Sequence, residues 1–278
     1  RVLLTTRFTE RLEEFAQPFE LGVLSAADAL LILKAARPEF KDGRADKNLG
    51  AVAEHLGFLG LALGYAAAWL SVHPLKTPAE LLAALQPAEL DAAHPLEDPR
   101  LTTRAAKYPR SLVNMLELHL KPLDGTPAMA VAVAAAFCDP DRIPVALLAA
   151  AAGLSRDEAE EAVSKLKGRS VVTLSAIDDP ALAAADWGYV ALHRLTQSML
   201  RRRAWTVDRA GTLAVLARLR SALVDVLEDT SHHKNFAQRV RATPHAATLA
   251  MHLDQRQSEL PARSRSQLDQ FDVAVLHW

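Results

Sequence analysis

A single histidine, His193, stands where two kinds of sequence pattern meet. Before it, Trp187-Gly188-Tyr189-Val190-Ala191-Leu192 is aromatic and β-branched and reads as a strand; after it, Arg194 to Leu200 has the spacing of an amphipathic helix. A helix N-terminus presents unpartnered backbone N–H groups and the positive end of its dipole, so anions favour that spot. A histidine there can add a side-chain donor to the same anion. It can equally do no more than cap the helix or pack at the turn, and the residues alone leave both readings open.

Other site chemistry is sparse. None of the 11 glycines is followed by lysine, so no phosphate-binding G-x-x-x-x-G-K-[ST] loop exists in this chain. There is no H-E-x-x-H, no paired-cysteine motif and no G-x-S-x-G elbow. The neighbouring His232 and His233 make a poor chelate without a third ligand and read as an exposed turn. No complete catalytic site is legible.

The elements that would position His193 follow from composition and pattern. A chain of 278 residues suggests roughly two domains, and half of it is hydrophobic, much of that alanine, with 5% aromatic residues. That balance favours close-packed helices and a mainly α fold. The net charge of −1 gives no support for a dedicated nucleic-acid binder. Cys138 is the one cysteine, which excludes a disulfide framework and suits a reducing, cytoplasmic setting. No secretory signal is visible. The run Leu56 to Val72 is uncharged but short and rich in Gly and Ala, so a buried core helix is expected there and no membrane partner. The chain opens on Arg1 in a strand-like run and closes on Trp278 in a helical pattern, so we expect a piece of a longer protein.

In order, Val2-Leu3-Leu4-Thr5-Thr6 reads as a buried strand ending at Arg7, and Phe19-Glu20-Leu21 as a second extended piece. Ser25, with Asp28 three residues on, predicts the N-terminus of a helix over Ala26 to Ala36. Asn48 to Leu70 is helical in pattern, and Gly57, Gly60 and Gly64 within it mark a break or a close approach; we expect the break near Gly57 to Gly60. Pro78 opens another helix, and Asp91 to Tyr108 reads as a linker. Helices follow over Arg110 to Leu120, Pro127 to Phe137, Pro144 to Ala151 and Ser155 to Lys167. Next come two strands, Val171 to Leu174 and Tyr189 to Leu192, with Ser175 to Gly188 between them. That order is a winged helix with a two-stranded hairpin. Residues 207 to 278 read as helical, with a new helix starting at Pro244 after a break at Thr243.

The helix in the recognition position begins Ser155-Arg156-Asp157-Glu158-Ala159-Glu160-Glu161. Its four acids would meet phosphate repulsion in a DNA groove, although acids also suit any helix N-terminus. DNA is therefore disfavoured as a partner.

Taken in this order, the chain resembles the NB-ARC family of STAND signalling NTPases, in their bacterial form followed by TPR repeats. Arg1 to Arg7 looks like the family's sensor strand, Gly57-Phe58-Leu59-Gly60-Leu61-Ala62-Leu63 is similar to its G-x-L-P-L-A-L motif, and Phe137-Cys138-Asp139-Pro140-Asp141-Arg142-Ile143-Pro144 resembles the segment opening its winged helix. Leu192-His193-Arg194-Leu195 followed by Gln197 is similar to the histidine motif, and Arg239 to Ala246 to the region leading into the repeats. The family proline is replaced here by Gly60, and the phosphate loop and magnesium-binding aspartates would lie upstream.

The resemblance implies a division into residues 1–24 (edge of a nucleotide-binding domain), 25–106 (first helical ARC subdomain and linker), 107–205 (winged-helix ARC subdomain) and 206–278 (helical region leading into TPR-like repeats). It implies that Arg7 lies near the terminal phosphate of ATP, that Gly60 and Leu61 line the adenine pocket, and that His193 reaches the β-phosphate of ADP. ADP or ATP with Mg is expected for the parent protein, whose catalysis would be at most slow NTP hydrolysis; this chain alone is not expected to hold nucleotide tightly. Expected partners are the protein's own upstream nucleotide-binding domain, further copies on activation, and a protein or ligand trigger at the helical C-terminal region. The competing readings are a winged-helix transcription regulator with a helical sensor, and a non-catalytic helical scaffold.

Overall fold

The computed structural model describes residues 23–37, 39–40, 46–85, 110–175, 186–228 and 236–254. The expected strand ending at Arg7, the extended piece at Phe19, the linker from Asp91 and everything after Asp254 lie outside the described residues. Within them the protein is mainly helical, with eleven α-helices and a small three-stranded antiparallel sheet.

The first body is α-helical. Helix α1 (Ala26–Lys34) is capped by Ser25, whose Oγ accepts from the Asp28 N–H at 3.1 Å. Helices α2 (Asp46–His55) and α3 (Gly60–Val72) are separated where the pattern predicts, because Gly57 and Phe58 both take positive φ, at 62° and 55°. Two successive left-handed residues cannot continue a right-handed helix. The Leu24 N–H donates to the Phe58 carbonyl and clasps this break from outside. At Gly64 the close-approach reading fails, since an added Cβ would meet nothing within 4 Å. Helix α3 is the hub: Leu63, Tyr65, Ala66 and Leu70 are buried, and α1, α4 (Pro78–Leu85) and α5 (Arg110–Leu120) pack around it.

A 3₁₀ turn, Lys121–Leu123, leads into the second body. Here α6 (Pro127–Ala136), β1 (Ile143–Pro144), α7 (Val145–Ala152), α8 (Arg156–Gly168), β2 (Thr173–Leu174) and β3 (Tyr189–Ala191) follow one another. The sequence pattern predicts two strands; the structure has three. Ile143 pairs with Val190 and Pro144 with Tyr189, so β3 lies between β1 and β2. A two-residue strand carries no period-2 signal, and Pro144 can serve at a sheet edge because it owes that side no N–H. Helix α6 is apolar nearly all round and is the core of this body, wrapped by α7, α8, α9 and α10.

Helix α9 (Arg194–Val207) follows β3 directly, and α10 (Arg209–Glu228) packs along α7. The last described helix, α11 (Phe236–Asp254), packs on α10 and corrects one expectation: it runs unbroken through Thr243 and Pro244. Proline there denies a partner to the Val240 carbonyl, which lies on the exposed side of the helix. Meanwhile Ala242, His245, Ala246 and Leu249 keep the other face buried, so packing overrides the local break signal. Among the described residues no helix is long and apolar enough to cross a membrane.

Candidate functional site

His193 is the N-cap of α9, and its Nδ1 accepts from the Leu195 N–H at 3.2 Å. The ring is exposed at the junction of β3 and α9. An accepting Nδ1 puts the proton of the neutral ring on Nε2. The capping reading of His193 is thus met through Nδ1, and an anion contact would have to use Nε2.

Gly60 is the first residue of α3 and Leu61 the second; Gly60 is exposed and Leu61 half-buried. The α3 N-cap, Leu59, supplies no side-chain hydrogen bond to the first turn, unlike Ser25 on α1 or Ser155 on α8. An alanine Cβ at Gly60 would make an ordinary 3.7 Å contact with Leu24, so space does not demand glycine there. Arg7 lies outside the described residues.

What joins the two helix starts is a buried polar chain that sequence patterns do not announce. The Tyr65 hydroxyl on α3 and the Thr196 hydroxyl on α9 share a 2.6 Å hydrogen bond. Burial pushes the Tyr65 phenol up to about 12, with the Thr196 bond opposing. Behind Tyr65, His119 of α5 is fully buried and its Nε2 donates to the Tyr65 carbonyl at 2.8 Å. Burial pushes His119 down to about 4, against the raising effect of that carbonyl, so the ring is neutral near pH 7. Its Nδ1 has no hydrogen-bond partner among the described residues.

Helix α9 presents two polar faces with different jobs. Thr196 and Arg203, seven positions apart and hence two turns, reach the first body: Arg203 binds Glu117 of α5 and, at 2.5 Å, Asp124. Gln197 and Arg201, one turn apart, reach the C-terminal end of α6. Gln197 Nε2 donates to the carbonyls of Ala135 at 3.0 Å and Cys138 at 2.9 Å, and Arg201 donates to Ala136 at 2.6 Å. The last carbonyls of a helix lack intrahelical partners and carry the negative dipole end, which an amide and a guanidinium satisfy. Arg218 of α10 does the same for α7 through the Ala151 carbonyl at 2.8 Å. Gln197 belongs to the predicted histidine motif, but Tyr65, Thr196, His119 and Arg201 were not singled out. The i, i+4 and i, i+7 polar pairs on α9 were the only available signal, and they identify no partners.

A cavity of about 260 Å³ lies elsewhere, between α6, the C-terminal end of α9 and α10, with Met129, Val133 and Val215 in its walls. Residues from the α9 N-terminus do not line it. Among the described residues no group of three His, Cys, Asp or Glu could hold a metal ion. The described residues thus place a histidine-capped helix start, that of α9, and a helix start without a side-chain cap, that of α3, at the two stretches singled out in the sequence. The chain matches no protein-family model and no curated protein.

Proposed function

We propose that the chain is the regulatory part of a cytoplasmic STAND-type switch, which holds a neighbouring nucleotide-binding domain closed on ADP and couples sensing to oligomerisation. One observation carries the reading. The helix that starts at Gly60 and the helix capped by His193, the two stretches that resemble the family's nucleotide contacts, are tied directly to each other by Tyr65 and Thr196. The order α6, β1, α7, α8, β2, β3, with β3 central, supports a winged-helix subdomain over this part of 107–205. The helices α1 to α4 correspond to the first helical ARC subdomain, and α10 and α11 open the helical region.

In this reading the nucleotide is an anion held mainly by the upstream domain, with Mg on that domain's aspartates. His193 stands beside the anion at the start of α9, which its Nδ1 caps. Gly60 and Leu61 flank the base, and Arg7 lies near the terminal phosphate. The DNA-binding alternative is opposed by α8, where Asp157, Glu158, Glu160 and Glu161 are all exposed.

The test uses a longer protein that includes the upstream phosphate loop. It should bind ADP, and His193→Ala should weaken that affinity while increasing spontaneous oligomerisation. If the longer protein binds neither ADP nor ATP, the switch reading fails and a helical scaffold remains. If it binds ADP but His193→Ala leaves the affinity unchanged, His193 is a helix cap alone.

A further inference from the structure

The core helix of the second body is not packed evenly. In α6, Val131, Ala132, Ala134, Ala135 and Ala136 are fully buried, whereas Met129 and Ala130 are half-buried and Val133 keeps 6% exposure. Met129, Ala130 and Val133 stand at i, i+1 and i+4, so they share one side of the helix. Opposite them, Ala204 of α9 and Val215 of α10 keep 6% and 5%. All five line the cavity of about 260 Å³ between α6, the C-terminal end of α9 and α10. Apolar walls held apart forfeit dispersion contacts, and a concavity of this kind with a few polar groups at its edge is the form a ligand site takes.

Size and lining define the ligand. An apolar cavity of about 150 Å³ takes a benzene ring, and on that scale this one has room for about ten non-hydrogen atoms. No aromatic side chain lines it, so the walls suit an aliphatic chain and offer no ring to stack on. Four charged residues lie around it, and three of them are already committed. Arg203 binds Asp124 and Glu117. Asp208 accepts from the Gly211 N–H at 2.9 Å, at the start of α10. Arg218 differs. Its Nε donates to the Ala151 carbonyl at 2.8 Å, and a Cβ on Gly153 would lie 3.6 Å from that nitrogen. Those two contacts steady the guanidinium, while its terminal nitrogens make no hydrogen bond or ion pair among the described residues. A guanidinium held by Nε and open at its other two nitrogens is a fork for a carboxylate.

We propose that this cavity binds a small aliphatic carboxylate of about eight carbons, with its chain against Met129, Val133 and Val215 and its carboxylate on Arg218. Such a ligand touches two helices with different duties. Helix α9 reaches the first body through Thr196 and Arg203, and α10 carries α11. The inference does not rest on the nucleotide-switch reading, and its outcome leaves that reading untouched.

Octanoate is the probe, and octylammonium, the same chain with the opposite charge, is its control. In a methyl-resolved NMR titration of this chain, octanoate should shift the Met129, Val133 and Val215 methyls with a Kd of about 0.1–1 mM. Octylammonium should bind at least about tenfold more weakly. Ala130→Phe and, independently, Ala214→Phe put a ring into the cavity from α6 and α10, and each should weaken octanoate about tenfold or more. Methyl signals far from the cavity report whether each variant keeps the fold. Arg218→Gln should weaken octanoate about fivefold, and Arg218→Lys should recover much of the loss. Four results overturn the proposal: no saturable shift of these methyls by octanoate, octylammonium binding as tightly as octanoate, octanoate affinity that survives both phenylalanine variants, or affinity unchanged in Arg218→Gln.

Discussion

The hydroxyl groups of Tyr65 and Thr196 share one buried hydrogen bond, 2.6 Å long, across 131 positions of chain. It ties the hub helix of the first body to the helix capped by His193. Removing one partner leaves the other buried and unsatisfied, which costs about 1–3 kcal/mol, whereas removing both costs little more than the lost packing. Tyr65→Phe and Thr196→Val should therefore each destabilise the protein, and the double variant should lose clearly less than the sum of the two. Urea unfolding of the four proteins measures this cycle; strictly additive losses would mean the two hydroxyls are not coupled.

Acid should weaken the protein through His119. Its folded value lies near 4 and its unfolded value near 6.5, with burial the main cause. Between those values the unfolded chain binds the proton and the folded chain does not, so stability falls as pH falls. The contribution is complete above pH 6.5, is lost progressively down to pH 4, and amounts to something on the order of 3 kcal/mol. His245, buried on α11 and also held below its ordinary value by burial, acts in the same direction. His119→Gln keeps a donor for the Tyr65 carbonyl and removes the titration, so the slope of unfolding free energy between pH 6.5 and 4 should shrink. An unchanged slope would place the titration elsewhere.

The end of α6 should be sensitive to α9. Gln197→Ala leaves the Cys138 carbonyl without its side-chain donor and the Ala135 carbonyl with backbone N–H donors alone, and should cost about 1–3 kcal/mol. Gln197→Glu should be worse, since it sets a carboxylate against two carbonyls and the negative end of the α6 dipole. Thermal unfolding ranks the three proteins. A glutamate variant as stable as the parent would contradict the capping role.

Cys138 is fully buried, and burial raises its thiol far above the ordinary cysteine value. A thiol reagent such as DTNB should leave it unmodified in the folded protein and react fully in denaturant. Rapid labelling under native conditions would show that the α6 end opens far more readily than its packing suggests.

Helix positions, the break at Gly57 and Phe58, the helix start at Ser25 and the strand running into His193 were legible because each depends on a few adjacent residues. Apolar period, cap chemistry and glycine punctuation act over one or two turns. The apolar period of 56–72 likewise announced a buried helix. The sequence misread Pro244, where buried residues on the far face of α11 outweigh a local breaker, and it missed β1, two residues long and defined only by pairing with Tyr189 and Val190. Nothing local could join Tyr65 to Thr196, orphan the Nδ1 of His119, or bring Gln197 and Arg201 to the end of α6. Those relations exist only once the helices pack, because a buried polar atom is partnered by whatever lies beside it in space. Local pattern determined the elements and singled out His193; tertiary packing decided which polar atoms meet, and so which faces of α9 hold the two bodies together.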